Sequence, residues 1–150
     1  MQAGREFMNE KGYTILELIF TMSIAAVLSG IAVGGYRELN DPLQNGTNQI
    51  VSQMKHARVK AISNTTVYRV APDGSNQIRF YHGNTCADTD TEENELTINL
   101  PAGVILGDTG WEICFNQRGL ANQSLEIEVL EDSRIKTIEV LVGGSIRIMP

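Results

Sequence analysis

Glu17 is the residue whose surroundings most demand a chemical explanation in this 150-residue chain. No residue from Leu18 to Tyr36 is charged, and extending the block back to Tyr13 adds only Glu17. A helix over that stretch covers roughly 36 Å, against a bilayer core of roughly 30 Å. A carboxylate near the start of such a helix costs about 2–3 kcal/mol even on a lenient insertion scale, so it needs a partner. The chain supplies one if it is cut after Gly12. Tyr13 then carries a new α-amine, and Glu17 follows four residues later on the same helix face. That amine is positive, and so is the helix N-terminus. Glu17 can pair with its own amine or with that of a neighbouring copy; the second pairing turns a buried charge into an assembly signal. Two simpler accounts of the block exist, a secretory signal peptide cut near Ala32-Val33-Gly34 and a plain membrane anchor. Neither requires Glu17. Arg5 and Lys11 precede the block and Arg37 follows it, a bias that favours the N-terminus inside and the rest outside.

No other set of side chains reads as catalytic, so neither an enzyme nor a cofactor is expected. His56 sits among basic residues of a helical segment and His82 ends a strand, and neither has a serine, cysteine or carboxylate at catalytic spacing. Asp88, Asp90, Glu92, Glu93 and Glu95 form an acidic stretch, but it lacks the glycine and closing glutamate of a calcium loop. A solvated surface loop is expected there, and no metal site. Lys55, Arg58 and Lys60, together with Arg147, are the candidates for phosphate contact, with Arg118, Arg134 and Lys136 as further cations. A net charge of −6 works against nucleic-acid binding through the overall field. Trp111 follows a Gly-Asp-Thr-Gly turn and reads as a core or edge anchor. Cys86 and Cys114 match no zinc spacing. In an exported head they form one disulfide, worth roughly 3–4 kcal/mol by loop entropy; in a cytosolic one they are two buried thiols.

The elements that position these residues follow from periodicity. Asn40-Asp41-Pro42 interrupts the helical pattern, with Asp41 as N-cap and Pro42 in the first turn of a new segment. Leu43, Ile50, Met54, Ala57, Ala61 and Ile62 then fall at helical spacing, which predicts an amphipathic helix from 43 to 63. Beyond Asn64 the period drops to two. Strands are expected at 66–70, 78–82, 96–100, 104–106, 112–115, 125–130, 135–142 and 145–148, with turns at Pro72-Asp73-Gly74, Asp132-Ser133 and Gly143-Gly144. A helix followed by antiparallel strands gives an α+β head, with the long N-terminal helix as membrane-spanning half and amphipathic half packed on antiparallel sheets. Gly30, Gly34 and Gly35 weaken the first helix and are expected to give it local flexibility, or else to pack closely against other helices.

Lys11-Gly12-Tyr13-Thr14-Ile15-Leu16-Glu17-Leu18 resembles the cleavage motif of type IV prepilins and pseudopilins, with Tyr13 where that family usually has phenylalanine. The resemblance implies a leader at 1–12, cleavage by a prepilin peptidase between Gly12 and Tyr13, and N-methylation of Tyr13. It implies a filament-core helix at 13–38 and a globular head at 39–150. Met8 is an alternative start that leaves a short leader. The head resembles GspH/FimT-type minor pilins and pseudopilins through Ala57-Arg58-Val59-Lys60-Ala61-Ile62, Phe115-Asn116-Gln117-Arg118-Gly119 and Gly143-Gly144-Ser145-Ile146-Arg147. That implies a structural subunit of a type IV pilus or type II secretion pseudopilus. Its partners would be other pilins, the peptidase and the inner membrane, with the head outside the cytoplasm. The alternative is a DNA-binding minor pilin acting in DNA uptake, although Ser145 stands where a second arginine would strengthen that case. Mass spectrometry of the mature chain is expected to show Tyr13 as a methylated N-terminus; an intact leader, or a cut near Gly34, overturns the filament reading.

Overall fold

The computed structural model describes residues 14–39, 41–89 and 91–149, with side chains of the first helix described as far as Gly30. Gly12 and Tyr13 therefore lie outside the described residues. The chain divides into two compact units, 1–40 and 41–150.

The first unit contains α1, Ile15–Leu39, which runs as unbroken helix through Gly30, Gly34 and Gly35. Its described side chains are all exposed and mostly apolar. The three hydroxyls among them bond back to the helix: Thr21 donates to the Leu18 carbonyl, Ser23 to Ile19 and Ser29 to Ala25. Such back-bonding removes polar demand from the surface, as a low-dielectric environment requires. Among the described residues no helix is long and apolar enough to cross a membrane.

The second unit opens with α2, Pro42–Ser63. Asp41 caps it, accepting a 3.2 Å bond from the Gln44 N–H, and Pro42 occupies the first turn, where its missing N–H costs nothing. The buried stripe is Leu43, Thr47, Ile50, Met54, Ala57 and Ala61. Ile62 leaves the expected stripe: it is 47% exposed, because the turn that buries Ala61 rotates its neighbour outward.

Nine strands follow among the described residues. β1 (Val67–Pro72), β2 (Gln77–Gly83), β3 (Thr91–Glu92), β4 (Ile98–Asn99) and β6 (Ile113–Phe115) form one antiparallel sheet, ordered β3-β2-β1-β6 with β4 also on β2. β5 (Val104–Leu106), β7 (Leu125–Glu131), β8 (Arg134–Val140) and β9 (Ile146–Ile148) form the second, in the order β5-β7-β8-β9. α2 packs against strands of both. The core between them is fully buried at Tyr68, Phe80, Phe115, Ile127 and Ile138. Trp111 is buried with its indole N–H on the Asp108 carbonyl at 3.0 Å, an anchor and not an open platform.

Two expectations need correction. The strand expected at 96–100 begins later, because Asn94–Leu96 forms a single 3₁₀ turn before β4. The acidic stretch is not a free loop. Thr91–Glu92 pairs with the β2 edge, Tyr81 opposite Glu92, and the Glu93 N–H bonds the Phe80 carbonyl at 2.8 Å.

Two glycines are fixed by the packing at the C-terminal end of α2. Gly119 and Gly144 have φ of +73° and +78°. A Cβ on Gly144 would run into the Gly119 carbonyl oxygen and sit 3.0 Å from Arg58 Cζ; one on Gly119 would meet Ile62 Cδ1 at 2.6 Å. Gly144→Ala is expected to destabilise the head by about 2 kcal/mol or more, from left-handed strain plus the clash with backbone. Urea unfolding checks this, with Gly143→Ala as the control at a site open to a methyl group.

Candidate functional site

The N-terminus of α1 is organised around Thr14 and Glu17. The Glu17 N–H donates to Thr14 Oγ1 at 3.2 Å and the Leu18 N–H to the Thr14 carbonyl at 3.1 Å, so Thr14 is the N-cap. Glu17 stands at the third helical position, where a carboxylate faces the positive end of the helix dipole. The spacing Thr-x-x-Glu is a capping-box pattern, a signal present in the sequence that the cleavage motif overshadowed. Among the described residues the Glu17 carboxylate has no hydrogen-bond or ion-pair partner. It is the lone polar side chain of the 15–30 stretch left so.

Of the four cations considered for phosphate contact, two are taken up by carboxylates. Lys60 lies 3.4 Å from Glu93 and 3.2 Å from Glu95. Burial works against its charge, but the Glu95 and Glu93 carboxylates outweigh burial and raise its pKa. Glu93 also accepts from the Tyr68 hydroxyl at 3.1 Å, and burial followed by this carboxylate raises the phenol's pKa. Arg147 is held by Glu139, its cross-strand neighbour. Arg58 donates its Nε to the Gly119 carbonyl at 2.9 Å. Lys55 is exposed and has no carboxylate partner among the described residues. The acidic stretch thus neutralises cations: Glu92 binds Arg79, which also holds Asp73 at 2.7 Å. None of this could be read from the sequence, because Lys60 and Glu95 are 35 positions apart. His56 is exposed, and His82 packs beside Tyr68 with ring centroids 5.7 Å apart. Among the described residues no His, Cys, Asp and Glu cluster suits a metal ion.

Cys86 and Cys114 are joined by a disulfide, with Cα atoms 5.9 Å apart. It ties the segment between β2 and β3 to β6. At the start of α2, Arg134 grips Asp41 with two bonds of 3.0 and 3.1 Å and also contacts Glu131. Arg134 and the Gln44 N–H hold the Asp41 carboxyl below its ordinary 3.8.

The three sequence fragments that resemble minor pilins converge in space. Arg58 and Ile62 of α2, Gly119 after β6 and Gly144 between β8 and β9 meet at one point. Residues 7–33 match the family model described as the prokaryotic N-terminal methylation motif. The fold is similar to that of the type IV minor pilin FimU of Pseudomonas aeruginosa, with a TM-score of 0.57 at 12% identity over 77% of this chain and 92% of that one. A second crystal form of FimU gives 0.53 at 11% identity, over 72% and 93%. The minor pseudopilin EpsH of the Vibrio cholerae type 2 secretion system gives 0.54 at 13% identity, over 73% of this chain and 97% of that one. No curated protein sequence matches the chain. The chain thus joins a methylation-type N-terminal motif at 7–33 to an α+β head whose fold is similar to that of the FimU and EpsH structures.

The Asp41–Arg134 pair generates a prediction with a definite sign. A carboxylate whose folded pKa is depressed stabilises the fold above its unfolded value and loses that contribution as pH falls through the folded value. Thermal unfolding between about pH 7 and about pH 2 is therefore expected to show Asp41→Asn less stable than the parent chain at neutral pH. The gap should close below the ordinary aspartate value of 3.8. A gap independent of pH means the pair contributes nothing.

Proposed function

We propose that this chain is a structural subunit, a minor pilin or pseudopilin, that enters a helical filament of a type IV pilus or type II secretion system through α1. The role is non-enzymatic. The observation that carries it is the Glu17 carboxylate, without a partner among the described residues, on a helix whose other described polar side chains are satisfied internally. Apolar side chains at Ile15, Leu16, Ile19 and Phe20 are 59–81% exposed, a surface that water does not tolerate and that a bilayer or a helical bundle covers. The methylation motif at 7–33 supports cleavage by a prepilin peptidase after Gly12, with a methylated Tyr13 amine as the partner of Glu17. In this reading the precursor waits in the inner membrane with its disulfide-bonded head outside the cytoplasm. Assembly moves Glu17 from lipid to the amine of a neighbouring subunit.

DNA uptake draws no support from the head. Of the four cations that would contact phosphate, Lys60 and Arg147 are held by carboxylates, which leaves Lys55 and Arg58, too few for a phosphate backbone.

Glu17→Ala tests the mechanism. Membrane insertion should be unchanged or improved, since an apolar residue replaces a charge, while recovery of the subunit in sheared filaments should fall about tenfold or more, the cost of losing one buried ion pair. Incorporation at the parental level sinks the proposal.

A further inference from the structure

The head carries one groove whose chemistry the filament helix does not explain. It holds about 510 Å³ between the C-terminal half of α2 and β9, and Lys55, Arg58, Val59, Ile62, Ser145 and Ile146 line it. Three features meet there. The first is an open sheet edge. β9 is the last strand of its sheet. The Leu141 N–H bonds the Ser145 carbonyl, the Met149 N–H bonds the Thr137 carbonyl, and Arg147 lies opposite Glu139. Antiparallel alternation then turns the N–H and C=O groups of Ile146 and Ile148 away from β8, where no strand receives them among the described residues. The second is apolar lining: Val59 is 60% and Ile62 47% exposed. The third is charge. Lys60, Arg69, Arg79, Arg134 and Arg147 each have a carboxylate within 4.0 Å. Among the described residues Lys55, Arg58, Arg118 and Lys136 have none, and the first two lie together on this groove, although the chain as a whole carries −6. Arg58 is also fixed in place, its Nε on the Gly119 carbonyl and its plane against Gly144, so little side-chain freedom is left to lose on binding.

From this convergence we infer that the groove accepts an extended peptide segment whose alternate residues, the ones that face α2, include both carboxylate and aliphatic side chains. The segment adds as a strand to β9, its backbone bonding Ile146 and Ile148, its aliphatic side chains on Val59 and Ile62, and its carboxylates on Lys55 and the free side of the Arg58 guanidinium. A peptide fits better than a nucleic acid because aliphatic contacts and unpaired strand groups meet no need of a phosphate backbone, and two cations are few for one. The occupant is a segment of an adjacent filament subunit, a choice that rests on the structural reading above; the groove's chemistry does not.

The full-length chain in detergent and a capped, fluorescent peptide with glutamate and valine at every second position and threonine between them test this by anisotropy. Saturable binding is expected, weakened about tenfold by Lys55→Glu and similarly by Val59→Asp. Both positions are exposed, and equal melting temperatures show the variants folded. Amide exchange at Ile146 and Ile148 should slow when peptide is added. In assembled filaments, a photocrosslinking residue at position 59 should capture an acidic segment of the adjacent subunit. Absent binding, binding indifferent to Lys55→Glu, or unchanged exchange at Ile146 and Ile148 overturns the inference. So does a DNA duplex that binds more tightly than the peptide and is lost with Lys55→Glu, or a crosslink to a segment without carboxylates. Because the titration uses a free peptide, its failure is distinct from a failure of Glu17→Ala to lower incorporation.

Discussion

One face of α2 has to serve two sheets at once. Leu43, Ile50, Met54, Ala57 and Ala61 give it a continuous apolar stripe, and strands of both sheets pack on it. The constraint tightens at the C-terminal end, where Arg58 spans the seam. It bonds the Gly119 carbonyl, just beyond β6 of the first sheet, and lies against Gly144, in the turn before β9 of the second. The Ala121 N–H crosses the same gap to the Val142 carbonyl at 3.0 Å. Neither glycine position has room for a methyl group, so the closeness of the two sheets is written into residue size as much as into hydrogen bonding.

The two units treat charge in opposite ways. In the head, five cations are matched to carboxylates, most at partly exposed positions where each pair adds little but together they fix the edges of the first sheet and the start of α2. In the described part of α1, the hydroxyls are satisfied within the helix and the Glu17 carboxylate has no partner among the described residues. Glu17 is thus the described position of α1 that asks for a partner.

Much of this was legible in the residues, and the parts that were not share a cause. β7 was plain because Leu125-Glu126-Ile127-Glu128-Val129 alternates strictly, and its burial follows the same alternation, with Ile127 and Val129 inside. The α2 start was plain because Asp41-Pro42 is local capping chemistry. β3 escaped because two polar residues have no period; they become a strand only when the β2 edge is beside them. Leu96 looked like the start of a strand because its apolar side chain does face the core, but the backbone reaches it through a 3₁₀ turn. Ile62 looked like stripe and is groove. The pairing of Lys60 with Glu93 and Glu95, which removed it from the basic set, depends on tertiary placement that no spacing rule encodes. Cleavage and methylation at Gly12 and Tyr13 remain expectations of the motif, since those residues lie outside the described part of the molecule.

The grip of Arg134 on Asp41 has a mechanical meaning. Asp41 is where the head begins, so tension applied along the chain arrives there first. Without a brace, such a force would peel α2 open from its capped end, one turn at a time. Arg134 sits at the tip of the β7–β8 hairpin, whose strands are zipped from Glu131 opposite Arg134 to Leu125 opposite Val140. The fork therefore routes load on the start of α2 into a ladder whose rungs must break together.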